Sequence, residues 1–221
     1  MIHSTYHNKD TYEDPKTSSV FEMMLMLPDE LFWSILRSAC FYNDNLPVVA
    51  GQIEDYEFWP HWDPTGTTNS TLVEPDVFIR FQSFDLIIEA KYCDRKGQYS
   101  EQWENEVIAY RNEYGICKPI YFMAVGGNAE KVSEIIPLAK GVVANKCTWL
   151  SLLIQVTKLR DEYDTLPMSC NSQSALIRLL NLIELAFNIH GVYNIHWFDE
   201  IKTPKPLISQ ESILTLKTFF K

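Results

Sequence analysis

Between Glu74 and Tyr92 the chain carries two runs rich in β-branched and aromatic residues, Asp76-Val-Phe-Ile-Arg-Phe81 and Phe84-Asp-Leu-Ile-Ile-Glu-Ala-Lys-Tyr92, separated only by Gln82-Ser83. If Gln82-Ser83 is a two-residue turn, Phe81 faces Phe84, Ile79 faces Leu86 and Val77 faces Ile88, which makes one face wholly apolar. The opposite face then holds Arg80 against Asp85, Phe78 against Ile87 and Asp76 against Glu89. A slip of one residue would set charged positions against apolar ones, so the pattern selects this register. A longer loop shifted by two residues keeps the same faces.

The register has an electrostatic consequence. Asp76 and Glu89 carry Cβ atoms about 5 Å apart, and like charges directly opposite one another destabilise a sheet. A divalent cation between them turns the repulsion into binding, and carboxylate oxygens are the hard donors that Mg²⁺ takes. Lys91 follows on the same face, about 6.6 Å further along the strand. The competing reading is a solvated charge ladder, in which Arg80 pairs with Asp85 and Glu74 with Lys91. Asp85 is a poor third ligand, since it stands about 13 Å from Glu89.

Around the hairpin, Ser19 and Glu22 have capping-box spacing and open an apolar helical stretch to about Leu27, which Pro28 ends. A second helix runs to about Phe41, and Val48 to Trp62 reads as a bent strand. After Cys93 to Tyr99, Trp103, Val107, Tyr110 and Tyr114 form one apolar stripe and predict a helix over 100–114, closed by Gly115. Pro119 to Val125 is a continuous apolar run of the kind buried on both faces of a sheet. A helix near 129–136, a strand near 141–144, helices over about 149–163 and 172–188, and a last helix from Gln210 complete the expectation. Strands in a run, then alternating with helices, predict an α/β fold with a mixed sheet flanked by helices.

Composition bounds the function classes. The 221 residues carry 46% hydrophobic and 22% charged side chains, as a globular chain does, and a formal charge of −10, which argues against non-specific coating of nucleic acid. No apolar run reaches the roughly 18 residues a membrane span needs, and the first residues lack a signal-peptide core, so the expectation is a cytoplasmic protein with no membrane partner. Five scattered cysteines, none in a CxxC, predict reduced thiols, and no Cys/His pair has zinc-ligand spacing.

Pro75-Asp76, twelve intervening residues, and then Glu89-Ala90-Lys91 resembles the PD-(D/E)xK motif of the restriction-endonuclease-like nuclease superfamily. The order of a helix, the hairpin, a helix and an apolar strand is similar to that family's α-β-β-β-α-β core. The resemblance covers roughly residues 19–155, between a loose N-terminal arm (1–18) and a mainly helical C-terminal extension packed on the core (156–221). It implies a nuclease that hydrolyses phosphodiesters, with DNA as its substrate and Mg²⁺ or Mn²⁺ as cofactor. Asp76, Glu89 and the Ala90 backbone carbonyl match the metal ligands, and Lys91 matches the catalytic lysine. Many members add a glutamate from the preceding helix; Glu22 and Glu30 are the candidates, and Glu22 is preferred. Some members carry QxxxY on the following helix; Gln102 is present, but Glu106 stands where the tyrosine would be.

Gln102, Arg95 and Lys96 are candidate substrate contacts, the last two in a small basic turn beside the proposed site. Trp59-Pro60-His61-Trp62 is an aromatic cluster that suits the core better than base stacking, and His61 reads as polar filler rather than a base. The 172–188 segment is apolar enough to serve a homodimer seam or a partner protein, although packing on its own sheet is its simpler fate. The alternative to an enzyme is a catalytically inactive restriction-like domain acting as a structural or protein-interaction subunit. A third reading, from a different class, is an unrelated α/β interaction protein whose hairpin charges are surface decoration.

Overall fold

A computed structural model describes residues 13–136, 141–166 and 171–194. Its centre is a six-stranded mixed sheet with strand order β1-β2-β3-β4-β6-β5. The strands are β1 (Ile53–Phe58), β2 (Val77–Phe81), β3 (Asp85–Ala90), β4 (Ile120–Val125), β5 (Glu134–Ile135) and β6 (Val143–Cys147). The first three form an antiparallel meander, β4 and β6 continue parallel to β3, and β5 closes the edge antiparallel to β6.

The expected hairpin register is present. Val77 pairs with Ile88, Ile79 with Leu86 and Arg80 with Asp85, and the Phe81 N–H donates to the Phe84 carbonyl at 2.9 Å across the two-residue turn. The apolar face of this hairpin (Val77, Ile79, Phe81, Leu86, Ile88) packs under α1 (Glu13–Met24), α2 (Asp29–Ala39), α4 (Trp149–Thr165) and α5 (Asn171–Ile189). Phe21, Phe32, Trp33, Trp149, Leu152 and Phe187 fill that layer. The other face is covered by α3 (Ser100–Tyr114), which sets Trp103, Val107 and Tyr110 against Phe78, Ile87 and Phe122.

This second layer bears on the solvated-ladder reading of the charged face. It is covered rather than solvated, so Asp76, Asp85 and Glu89 are all buried. Asp85 is fully satisfied, accepting from the Tyr110 hydroxyl at 2.9 Å and pairing with Lys118 at 2.9 Å and with Arg80 at 3.4 Å.

Other expectations change. The first helix does not start at Ser19: Glu13 to Ser18, read as part of a loose arm, already belong to α1, so Ser19 is mid-helix and caps nothing. Its hydroxyl instead bonds the Lys16 carbonyl and the ring of His190. No helix forms over 129–136; that stretch is loop plus the short edge strand β5. The bent strand expected over 48–62 shrinks to β1. The helix expected from Gln210, like residues 1–12, lies outside the described residues. Among the described residues no helix is long and apolar enough to cross a membrane, and Cys40, Cys93, Cys117 and Cys147 are free thiols.

Candidate active site

Asp76 precedes β2 by one residue and extends the hairpin register, which places it opposite Glu89 near the end of β3. Its Oδ2 accepts from the Ala90 N–H at 2.7 Å and its Oδ1 from the Trp59 indole at 3.1 Å. The strand that carries one acid therefore holds the other. Trp59 contributes twice, since its backbone N–H also donates to the Asp76 carbonyl at 3.1 Å. It does so from a left-handed conformation, φ 50°, unusual for a bulky residue and costly without such compensation.

Glu89 is 1% exposed. Its Oε1 accepts from the Gln102 amide at 2.7 Å and from the Lys91 ammonium. Lys91 also meets Glu13 Oε1 at 3.5 Å, while Glu13 Oε2 accepts from the Tyr92 N–H at 2.9 Å. The Lys91 N–H donates to the Val125 carbonyl at 2.8 Å, so that peptide side of the strand faces β4. Backbone groups alternate along a strand, and the N–H and C=O of Ala90 therefore face the β2 side, toward Asp76.

Two consecutive glycines after β4 make room for this lysine. A Cβ on Gly127 would come within 2.8 Å of the Lys91 stem, and one on Gly126 within 2.6 Å of the Lys91 carbonyl. Both have positive φ, 67° and 64° in chain order, which only glycine adopts freely.

The carboxyls are electrostatically stressed. Burial, then the charge of Glu89, pushes Asp76 well above the usual carboxylate range. Burial, then Glu106, does the same to Glu89. Burial alone would lower Lys91, but the charge and hydrogen bond of Glu89, with Asp76 and Glu13 behind, outweigh it and raise it above an ordinary lysine. Glu106, one helical turn beyond Gln102 on α3, is 1% exposed and lies against Glu89; burial raises it to about 8. Neither Glu106 oxygen has a protein donor in ordinary hydrogen-bond geometry.

Asp76, Glu89, Lys91, Ala90 and Gln102 are thus brought together, whereas four other candidates are not. Glu22 accepts from Ser18 within α1. It stands nine residues from Glu13, about 13.5 Å along the helix and half a turn round, so the helix glutamate that reaches Lys91 is Glu13. Glu30 lines a separate groove with Leu31, Gln82 and Leu176. Arg95 and Lys96 are exposed and line a cleft with Lys16, Tyr92 and His190. Their neighbour Asp94 accepts from the Trp149 N–H at 2.9 Å, at the start of α4. His61 pairs with Glu74 at 2.9 Å. Trp62 packs on Phe78, Tyr110 and Tyr114 as core.

Sequence reasoning missed Glu13, which sits in a polar stretch with no apolar period, and left Glu106 only as a departure from QxxxY. The signal for Glu106 was its position, four residues after Gln102 on one helix face.

The chain is 27% identical over 199 residues to a Pasteurella multocida (strain Pm70) protein named "Uncharacterized protein PM0110", an alignment covering 86% of this chain and 74% of that one. No protein-family model and no solved structure matches the chain.

Proposed function

We propose that this chain is a metal-dependent nuclease that hydrolyses phosphodiester bonds, with DNA as its substrate. One observation carries the reading: two buried carboxyls, Asp76 and Glu89, face each other at the open end of a hairpin with the Lys91 ammonium on one of them. The surrounding order of α1 and α2, β1 to β3, α3 and β4 supports a restriction-endonuclease-like core.

The residues fit a hard divalent cation. Both acids are raised by burial and by like charge, so a positive ion relieves both, and each bonded oxygen of Asp76 retains a second lone pair. Asp76, Glu89 and the Ala90 carbonyl would hold it, with Mg²⁺ or Mn²⁺ the ions that suit such donors. Bound there, the ion would polarise the phosphoryl oxygens and lower the pKa of a coordinated water. Trp59 and the Ala90 N–H fix the Asp76 carboxylate, and Gln102 fixes that of Glu89. Lys91 stays charged throughout the neutral range and supplies positive charge where the attacked phosphorus gathers negative charge.

The test is incubation of linear, supercoiled and single-stranded DNA, and RNA, with Mg²⁺ or Mn²⁺ at low salt, where weak binding is strongest. Cleavage is expected with either ion and lost in chelator. No cleavage of any substrate would favour the second reading, an inert domain that docks a partner. The observation favouring that reading is the exposed apolar set Leu182, Leu185 and Ile189 on α5.

A further inference from the structure

Glu106 is hard to account for as a structural residue. It sits on the buried side of α3 between Trp103 and Tyr110, both core side chains, where an apolar residue would pack without penalty. Burying a carboxylate with no donor costs several kcal/mol unless it is neutralised or paired. Its neighbours offer partial relief: Glu89, Lys91 and Gln102 favour its charged form without outweighing burial, since the Gln102 amide donates to Glu89 at 2.7 Å and the Lys91 ammonium is shared between Glu89 and Glu13. Asp76, Glu89, Glu106 and Glu13 therefore set four carboxyls against one ammonium, a local excess of three negative charges (4 − 1) when all are ionised.

The site also has an approach. A polar cavity of about 410 Å³ is lined by Thr68, Asn69, Glu74, Gln102, Asn105 and Glu106. Asn105 ties its rim together, donating to the Thr68 hydroxyl at 2.8 Å and accepting from the Thr68 N–H at 3.1 Å. The cavity is lined by Glu106 itself, and by Gln102, whose amide reaches Glu89 of the hairpin at 2.7 Å.

We infer that Glu106 is a third carboxylate ligand of the divalent-cation site, acting with Asp76 and Glu89 and raising the affinity for Mg²⁺ or Mn²⁺. This inference rests on the metal-dependent reading above and adds a residue to it. Among the described residues no three Asp, Glu, His or Cys side chains yet converge as a ready-made metal centre. Glu106 must turn about its side-chain bonds to join. Three carboxylates and a carbonyl leave an octahedral ion two positions for water or phosphate oxygens.

The experiment measures metal alone, with no nucleic acid. Mn²⁺ is titrated calorimetrically into full-length wild type, Glu106→Gln, Glu106→Asp, Asp76→Asn and Glu22→Gln. Tb³⁺ luminescence excited through Trp59 gives an independent readout at the same carboxylates. Wild type and Glu22→Gln are expected to bind alike, and Glu106→Gln roughly tenfold or more weakly. Glu106→Asp keeps the charge on a shorter arm and is expected to bind between the two, so the comparison survives if the glutamine variant misfolds. If Glu106→Gln binds as tightly as wild type while Asp76→Asn loses binding, the third-ligand assignment is overturned and the metal-dependent reading stands. If wild type itself binds neither Mn²⁺ nor Tb³⁺ at millimolar concentrations, both are overturned.

Discussion

Ala90 donates its backbone N–H to Asp76 Oδ2 at 2.7 Å, across the open end of the hairpin. The first acid is thus positioned by the backbone of the strand that bears the second acid, and the spacing between them does not depend on a loop. A pair of acids held this way is rigid in the direction that sets the gap between the carboxyls.

Asp76→Asn is expected to change the stability of the metal-free protein by no more than about 1 kcal/mol. The amide loses one of two hydrogen bonds, worth about 1 kcal/mol, and relief of like-charge repulsion of similar size opposes that loss. Urea unfolding in chelator measures it. A loss above about 3 kcal/mol would show that Asp76 is there for the fold.

Lys91→Ala is expected to lower cleavage by at least roughly a hundredfold while leaving Mn²⁺ affinity near that of wild type, because the ammonium acts on charge developing at phosphorus. Glu89→Ala should lose both properties. Parallel cleavage and calorimetric titrations separate the two, and a Lys91→Ala variant as active as wild type would falsify the assigned role.

At Gly127, an alanine methyl would sit 2.8 Å from the Lys91 stem at φ 64°. Gly127→Ala is expected to destabilise by about 1–2 kcal/mol from backbone conformation alone and to move Lys91 off Glu89. The thermal midpoint and the cleavage rate should fall together. Gly115→Ala is the control: its Cβ would meet nothing within 4 Å, so it carries the backbone cost without touching the site.

Lys16 gives a pH dependence. Its ammonium sits over the Trp149 ring at 4.6 Å and donates to the Tyr92 carbonyl, and burial, opposed by Asp94, lowers it from 10.5 to about 8. Between pH 8 and 10.5 the unfolded chain holds this proton when the folded chain has released it, so stability from this group rises with pH. Below pH 8 both states hold the proton and the burial penalty is complete. Unfolding free energies of wild type and Lys16→Met, compared from pH 7 to 10.5, should converge toward or move past one another in favour of wild type. A difference independent of pH would mean that Lys16 titrates normally.

The hairpin was readable because one slip of register would have put charges against Ile and Leu, and α3 because four aromatic and aliphatic residues share one stripe. Both are local patterns. What sequence reading could not reach was set by tertiary cover. Polar Glu13 to Ser18 look like a tail, yet they are helical, and Asp14, Lys16, Thr17 and Ser18 are buried. The charged face of the hairpin reads equally well as a solvated charge ladder or as a metal site, and the docking of α3 removes the solvent from it. Glu106 fell in the same blind spot, since a charged residue inside a packed layer is invisible to hydrophobic period. Residues 129–136 misled in the other direction, their scattered apolar positions serving the sheet edge at Ile136 rather than a helix stripe.

The two-residue turn at Gln82-Ser83 also bears on the order in which this molecule assembles. Asp76 and Glu89 are only 13 positions apart (89 − 76), so zipping the hairpin brings them together with little loop-closure entropy. Glu106 arrives only when α3 docks through Trp103, Val107 and Tyr110. If the hairpin belongs to the folding nucleus, neutralising Asp76 or Glu89 accelerates folding, whereas neutralising Glu106 mainly slows unfolding, and the two limbs of a chevron tell these apart. The repulsion at the site would then be a kinetic obstacle met early, by a chain that has yet to acquire the helix bearing its third acid.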